Sequence, residues 1–133
     1  MSVRRKIAEK PLSLRDAFET EYARREMERR AREEAERRQQ EADLAGAEQL
    51  HAALAADADF LQGHGMTADR RRYTVSLDHA RFRIAAYFES GSVDVTLSDK
   101  RAGPAAPAKW QVTTANAPEA LQAIARILVD EIH

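Results

Sequence analysis

The sequence predicts an α+β fold: a long N-terminal charged helix, a four-stranded antiparallel β-meander, and a C-terminal helix packed on one sheet face. Three observations carry that reading. Residues 12–45 contain no Gly or Pro and are dominated by Arg and Glu. Residues 73–113 switch to an apolar period of two in four short runs. Residues 117–132 return to helical spacing. The organisation that follows is a flexible basic arm over 1–12, a charged helical arm over 13–45 and a small α+β domain over 46–133.

The first helix begins after Pro11, with Ser13 as N-cap and Asp16 three residues on, a capping-box spacing. Glu stands four residues before Arg at Glu21/Arg25, Glu26/Arg30, Glu28/Arg32, Glu33/Arg37 and Glu34/Arg38. Such pairs face each other on a helix and together contribute about 1–2.5 kcal/mol. Between Ala23 and Gln40 there is no Leu, Ile or Val, so no coiled-coil seam exists there. This stretch reads as a solvated, self-supporting arm of up to about 45–50 Å at 1.5 Å per residue. From Leu44 a core-facing stripe begins: Leu44, Ala47, His51, Leu54, Ala58 and Leu61. Gly46 weakens it by about 1 kcal/mol and leaves open whether the helix is continuous. Gly63-His64-Gly65 ends it, with Gly63 as the residue after the C-cap.

The four strand signals are centred on Tyr73–Leu77, Phe82–Phe88, Val93–Leu97 and Trp110–Val112. Each has one apolar and one mainly polar face, the pattern of an antiparallel sheet covered on one side. Asp78-His79 reads as the first turn and Ser90-Gly91 as a tight hairpin. Lys100–Ala108 is a longer loop. Asn116 caps the last helix, Pro118 sits harmlessly in its first turn, and Leu121, Ile124, Leu128 and Ile132 face the sheet, widened by Ala120 and Ile127. That helix and the Leu44–Leu61 segment are expected on the same sheet face.

Composition narrows the function classes. The 21 basic and 22 acidic residues give a net charge of −1, with no global attraction to nucleic acid or anionic membrane. There is no Cys, which removes disulfides, thiolate chemistry and Cys-based zinc sites. No apolar run approaches a membrane span, and the N-terminus lacks the apolar core of a secretory signal, so a cytoplasmic protein is expected. The excess of Arg over Lys and the many Ala are those of a GC-rich bacterial genome.

No catalytic constellation stands out. His51, His64, His79 and His133 share no helical metal spacing, so no metal is expected. Ser90-Gly91-Ser92 lacks the setting of a nucleophile elbow, and no phosphate-binding glycine motif occurs. The chain therefore reads as a non-enzyme without a cofactor.

Two features point to binding. Leu14, Phe18 and Tyr22 put large apolar groups on a charged arm, preceded by Arg4, Arg5 and Lys6, which suits docking to a protein partner; the plain alternative is packing on the chain's own globular part or on a second copy in a homodimer. Arg70, Arg71 and Arg72, with Arg81, Arg83 and Tyr87, suggest a basic sheet face for phosphate or single-strand contact. The plain alternative is an ordinary exposed face whose Arg residues pair with Asp69, Asp94 or Glu89. The reading that results is a cytoplasmic bacterial interaction or adaptor protein, homodimeric, with an unidentified protein partner. Two others stand beside it: a nucleic-acid-associated protein, and a chaperone or regulator holding a peptide at a sheet edge.

Overall fold

The structure, a computed structural model, describes residues 12–103 and 105–132. Most of the expected basic arm, including Arg4, Arg5 and Lys6, lies outside the described residues, as does His133. The chain divides into two compact units, residues 1–36 and 37–133.

Helix α1 runs without interruption over Leu14–Ala56. Ser13 caps it as expected: Asp16 N–H donates to Ser13 Oγ at 3.2 Å. In the first unit every described side chain is exposed or half-buried.

The second unit holds the core. The last part of α1 is followed by a short helix α2 (Ala58–Gly63), then β1 (Thr67–Arg71), β2 (Thr74–Asp78), β3 (Phe82–Glu89), β4 (Ser92–Asp99), a single 3-10 turn at Lys100–Ala102, β5 (Trp110–Thr114) and α3 (Ala117–Ile132). The strands form one antiparallel meander in sequence order. The sheet thus has five strands, not four. The additional strand is β1, whose Thr-Ala-Asp-Arg-Arg sequence has no apolar alternation because it lies at the sheet edge with its residues exposed or half-buried.

One sheet face is covered. Val75, Leu77, Phe82, Ile84, Ala86, Phe88, Val93, Val95 and Leu97 join Ala47, Leu50 and Leu54 of α1 and Ala120, Ile124 and Ile127 of α3 in one core. The two helices therefore share that face. The buried stripe of α1 is rotated from the expected one; in α3 the expected Ala120, Ile124, Ile127 and Leu128 are buried, and the stripe departs from expectation only at Leu121 and the added alanines. In α1 the buried set is Asp43, Ala47, Leu50 and Leu54, with Leu44 only half-buried and Ala58 beyond it exposed. In α3, Leu121 is 37% exposed while Ala117, Ala120 and Ala123 are buried. Alanines let a helix backbone approach the sheet closely, and that approach, not the row of largest side chains, sets the rotation.

Gly46 has a specific role in this packing. A Cβ built on it would lie 2.8 Å from Cε2 and 2.9 Å from Cδ2 of Phe88. The glycine does not end α1; it is the place where a buried ring meets the helix backbone. One turn earlier Asp43, only 7% exposed, accepts Gly91 N–H at 3.0 Å and Gln39 Nε2–H at 3.1 Å. Gly91 belongs to the β3–β4 turn, where Ser90 and Gly91 have φ of 51° and 81°. Two consecutive positive φ values define the tight hairpin turn that matches strand twist, as the Ser-Gly pair predicts.

Two other turns differ from expectation. The α2 terminus uses Gly65, not Gly63: Met66 N–H donates to Leu61 O at 2.8 Å, Gly65 N–H to Gln62 O at 3.0 Å, and Gly65 has φ of 73°. That is a Schellman ending, with Leu61 and Met66 both buried beneath it. The β2–β3 connection spans His79, Ala80 and Arg81, closed by His79 N–H to Phe82 O at 2.9 Å. At α3, Glu119 N–H donates to Asn116 Oδ1 at 3.0 Å and Ala115 N–H to Glu119 Oε2 at 2.7 Å, so the predicted cap forms.

The Gly46–Phe88 contact is testable. Helix propensity alone makes Gly46→Ala stabilising by about 1 kcal/mol. Overpacking against the ring costs about 1–3 kcal/mol. Denaturant titration should therefore show net destabilisation, relieved when Phe88→Leu is added. A more stable single variant contradicts the close approach.

Candidate functional site

The apolar side chains expected at the start of α1 are exposed. Leu14 is 87%, Phe18 64% and Tyr22 61% exposed, and Met27 joins them at 72%. The Phe18 and Tyr22 rings stack with centroids 6.0 Å apart and planes 27° from parallel. Their spacing of four residues places them on one helix face.

The charged part of α1 is held by a branched network instead of simple Glu-to-Arg steps. Arg24 pairs with Glu21 one turn before it and Glu28 one turn after it. Arg29 does the same with Glu26 and Glu33, both at 2.6 Å. Arg37 reaches forward to Glu41 at 2.7 Å. Of the expected pairs, Glu21/Arg25 forms at 3.0 Å, whereas Glu28 is taken by Arg24 and Glu26 hydrogen-bonds to Arg29. A guanidinium has enough donors to serve two carboxylates, so the Glu-x-x-Arg-x-x-x-Glu spacing captures both. Hydrogen bonds from Arg24 and Arg25 pull the Glu21 carboxyl down to about 2. Arg29 lowers Glu26 in the same way.

The six residues expected to form a basic sheet face are divided by the strand register. Side chains of paired residues share a face. Arg71 pairs with Thr74, Thr74 with Tyr87, and Tyr87 with Asp94, so Arg71 and Tyr87 share one row of the uncovered face. Arg83 lies on the same face, in the row of Asp78 and Ser98. Arg70, by contrast, pairs with Val75 and so points to the covered side at the sheet edge. Arg72 occupies the β1–β2 turn at φ of 53°, its guanidinium 5.8 Å from the Tyr73 ring centroid. Arg81 lies in the β2–β3 loop and donates to the Glu131 carbonyl of α3 at 3.3 Å.

Acidic neighbours accompany the basic groups that remain on the open face. Arg71 pairs with Asp69 at 3.7 Å, and Asp78 receives both Arg83 at 3.9 Å and Lys100 at 3.1 Å. Thr113 Oγ1–H donates to Asp94 at 2.8 Å. A hydrogen bond to Glu89 holds the Tyr87 phenol above its ordinary range. The face is thus a mixed-charge surface: of the acids expected beside its Arg residues Asp69 pairs with Arg71, whereas Arg83 takes Asp78 instead of Asp94 or Glu89.

Sequence reasoning missed a groove of about 420 Å³ between β5 and α3, lined by Leu97, Trp110, Ile127, Lys109, Arg126 and Asp130. Trp110 is 40% exposed there, although its strand alternation marks it as core. The signal available was its position in the last strand of a meander, which has a neighbour on one side only. A second groove, of about 220 Å³, runs past His51, Leu54, Leu61 and Met66.

His64 and His79 make ring contacts. His64 lies 4.7 Å from the Phe60 ring centroid. His79 stacks on Phe82 at 4.5 Å, and its Nδ1 accepts Arg81 N–H at 3.1 Å. Among the described residues no group of three or more His, Asp or Glu could hold a metal ion, and no helix is long and apolar enough to cross a membrane. Compared with family models, with curated proteins and with solved structures, the chain matches none.

The ion-pair network fixes a pH response. Glu21 titrates lower in the helix than in the unfolded chain, from 4.5 to about 2. Its contribution is therefore present above the unfolded value and is lost as pH falls toward the folded one. Amide exchange should show residues 21–29, held by Glu21 and Glu26, loosening as pH drops from 4.5 to 2, and, at neutral pH, residues 21–41 loosening in high salt before residues 47–54 do. An unchanged exchange pattern at both conditions contradicts a role for the network.

Proposed function

We propose that this chain is a non-enzymatic interaction or adaptor protein of the bacterial cytoplasm, acting as a homodimer. The α+β part serves as its dimerisation or docking domain. Leu14, Phe18 and Tyr22 on the charged helix contact a protein partner, which covers their exposed faces.

The observation that supports this reading most directly is the exposure of Leu14, Phe18 and Tyr22 on a helix whose stability has another source. No side chain from Leu12 to Ala42 is buried. The charge network supports the helix locally, so the apolar groups are not needed to hold it. Apolar anchors at i, i+4 and i+8 are the spacing with which a helix lies in a partner's groove. The Phe18–Tyr22 stack makes those two rings one continuous apolar surface.

A photo-crosslinker placed at Ala17, beside the anchors, should capture a defined protein from cells. Phe18→Ser combined with Tyr22→Ser should reduce that capture at least tenfold, as expected for central aromatic anchors. The same variant should keep the thermal stability of the α+β part. Equal capture by the variant, or loss of its folded core, overturns the assignment of these residues to partner binding.

A further inference from the structure

The two edges of the sheet are chemically unlike. Edge strands expose unpaired N–H and C=O groups, and soluble proteins usually guard them with charge, Pro or a covering segment. At one edge, β1 carries Asp69, Arg70 and Arg71. At the other, β5 reads Trp-Gln-Val-Thr-Thr, five residues with no charge, Pro or Gly. It is rich in β-branched and aromatic side chains, the composition of a paired strand.

The hydrogen-bonding side of this edge follows from the β3–β4 hairpin. A two-residue turn makes Glu89 and Ser92 a hydrogen-bonded pair, and such pairs alternate along an antiparallel ladder. Val93, Val95 and Leu97 therefore turn their backbone groups toward β5; the Leu97 carbonyl accepts Lys109 N–H at 2.7 Å. Their register partners Thr114, Val112 and Trp110 face back toward β4. The N–H and C=O of Gln111 and Thr113 consequently point away from the sheet.

We infer that β5 is a self-complementary edge, and that a second copy of this chain pairs with it antiparallel about a two-fold axis at Val112. This names the surface for the homodimer of the proposed function and rests on that part of the reading, but not on the partner contact at Phe18 and Tyr22. In this register Gln111 faces Thr113 of the other copy and the reverse, so the four outward backbone groups on each strand are satisfied by four hydrogen bonds across the axis. Val112 faces its own copy as a β-branched pair. Trp110 faces Thr114 of the other copy on the covered side, so the half-exposed indole gains a neighbour on its open flank.

Charge favours the same arrangement. The Trp110 end of β5 lies beside Arg126 of α3, and the Thr114 end leads through the Asn116 cap to Glu119. Antiparallel pairing brings the Arg126 end of one α3 next to the Glu119 end of the other, twice by symmetry. Among the described residues Arg126 has no ion pair of its own. A C2 interface needs a patch that complements itself, and this edge meets that demand in backbone, side chain and charge.

Two double variants at exposed positions test the register. Gln111→Lys with Thr113→Lys sets like charges opposite each other, whereas Gln111→Glu with Thr113→Lys sets opposite charges across the axis. Light scattering and sedimentation over a concentration series should give wild type at twice the 14.9 kDa chain mass. The Lys/Lys variant should shift to chain mass, with dimer affinity at least tenfold weaker, and the Glu/Lys variant should remain dimeric. A monomeric wild type, or a Lys/Lys variant that dimerises like wild type, overturns the inference. If both variants are monomeric, the two-fold register is wrong. Phe18→Ser/Tyr22→Ser should leave the dimer intact, so failure of the edge and failure of the partner contact are read separately.

Discussion

The contact between the Gly46 backbone and the Phe88 ring, fastened by Asp43 on Gly91, governs the folded unit. Phe88 lies one residue before the paired end of β3, and Gly91 is in the turn that follows it. Two fixed points on one hairpin thus meet two points one turn apart on α1. Once that hairpin is seated, its two-residue turn sets the β3–β4 register, and the register decides which side chains of every other strand reach the core. A Cβ at position 46 would keep the ring away, and the loss of the Asp43 carboxylate would leave the turn without its tie to the helix. The glycine that lowers helix propensity is therefore the residue that lets the helix join the sheet.

The same helix is supported in two different ways along its length. Toward its end, Ala47, Leu50 and Leu54 are buried, and burial at about 25 cal/mol per Å² holds them. In the first unit the support is local, from Arg24 and Arg29 each bridging two carboxylates. Exposed pairs of this kind contribute little singly, but a branched guanidinium has its rotamers fixed once for two contacts. Local support does not require the apolar face to be buried within the chain. That separation leaves Leu14, Phe18 and Tyr22 exposed without loss of the helix that carries them.

Much of this architecture was legible in the sequence, for reasons visible in particular residues. Period-two alternation in Phe82–Phe88 and Val93–Leu97 marks strands that face a core on one side and solvent on the other. Ser13 and Asn116 announce helix starts through a single side-chain bond each. What escaped was information held between elements. β1 has no alternation to find, because its pairing to β2 is backbone chemistry. In α3, Ala117 and Ala123 fit against the sheet while Leu121 is exposed, which a search for large apolar residues overlooks. The basic cluster was broken up by one property of strands: Arg70 and Arg71 are adjacent in sequence and therefore point to opposite faces. Trp110 looked like core because alternation reports a face, not whether a neighbouring strand exists.

The uncovered sheet face has little to gain from being covered. Its rows hold small polar groups at Ser76, Thr96 and Thr113, with Arg71 beside Asp69 and Arg83 beside Asp78. Ser76 is 5% exposed although it lies on this face, so neighbouring side chains already close over its centre. Where charges are paired and hydroxyls such as those of Thr96 and Thr113 have partners, covering the surface gains little free energy, because each new contact replaces one already made. The start of α1 and the β5 edge differ on this point. One presents aromatic area to water, and the other presents backbone groups that only another strand can pair. Both are exposed features that the chain's own folding leaves unsatisfied, aromatic area in one case and unpaired strand backbone in the other.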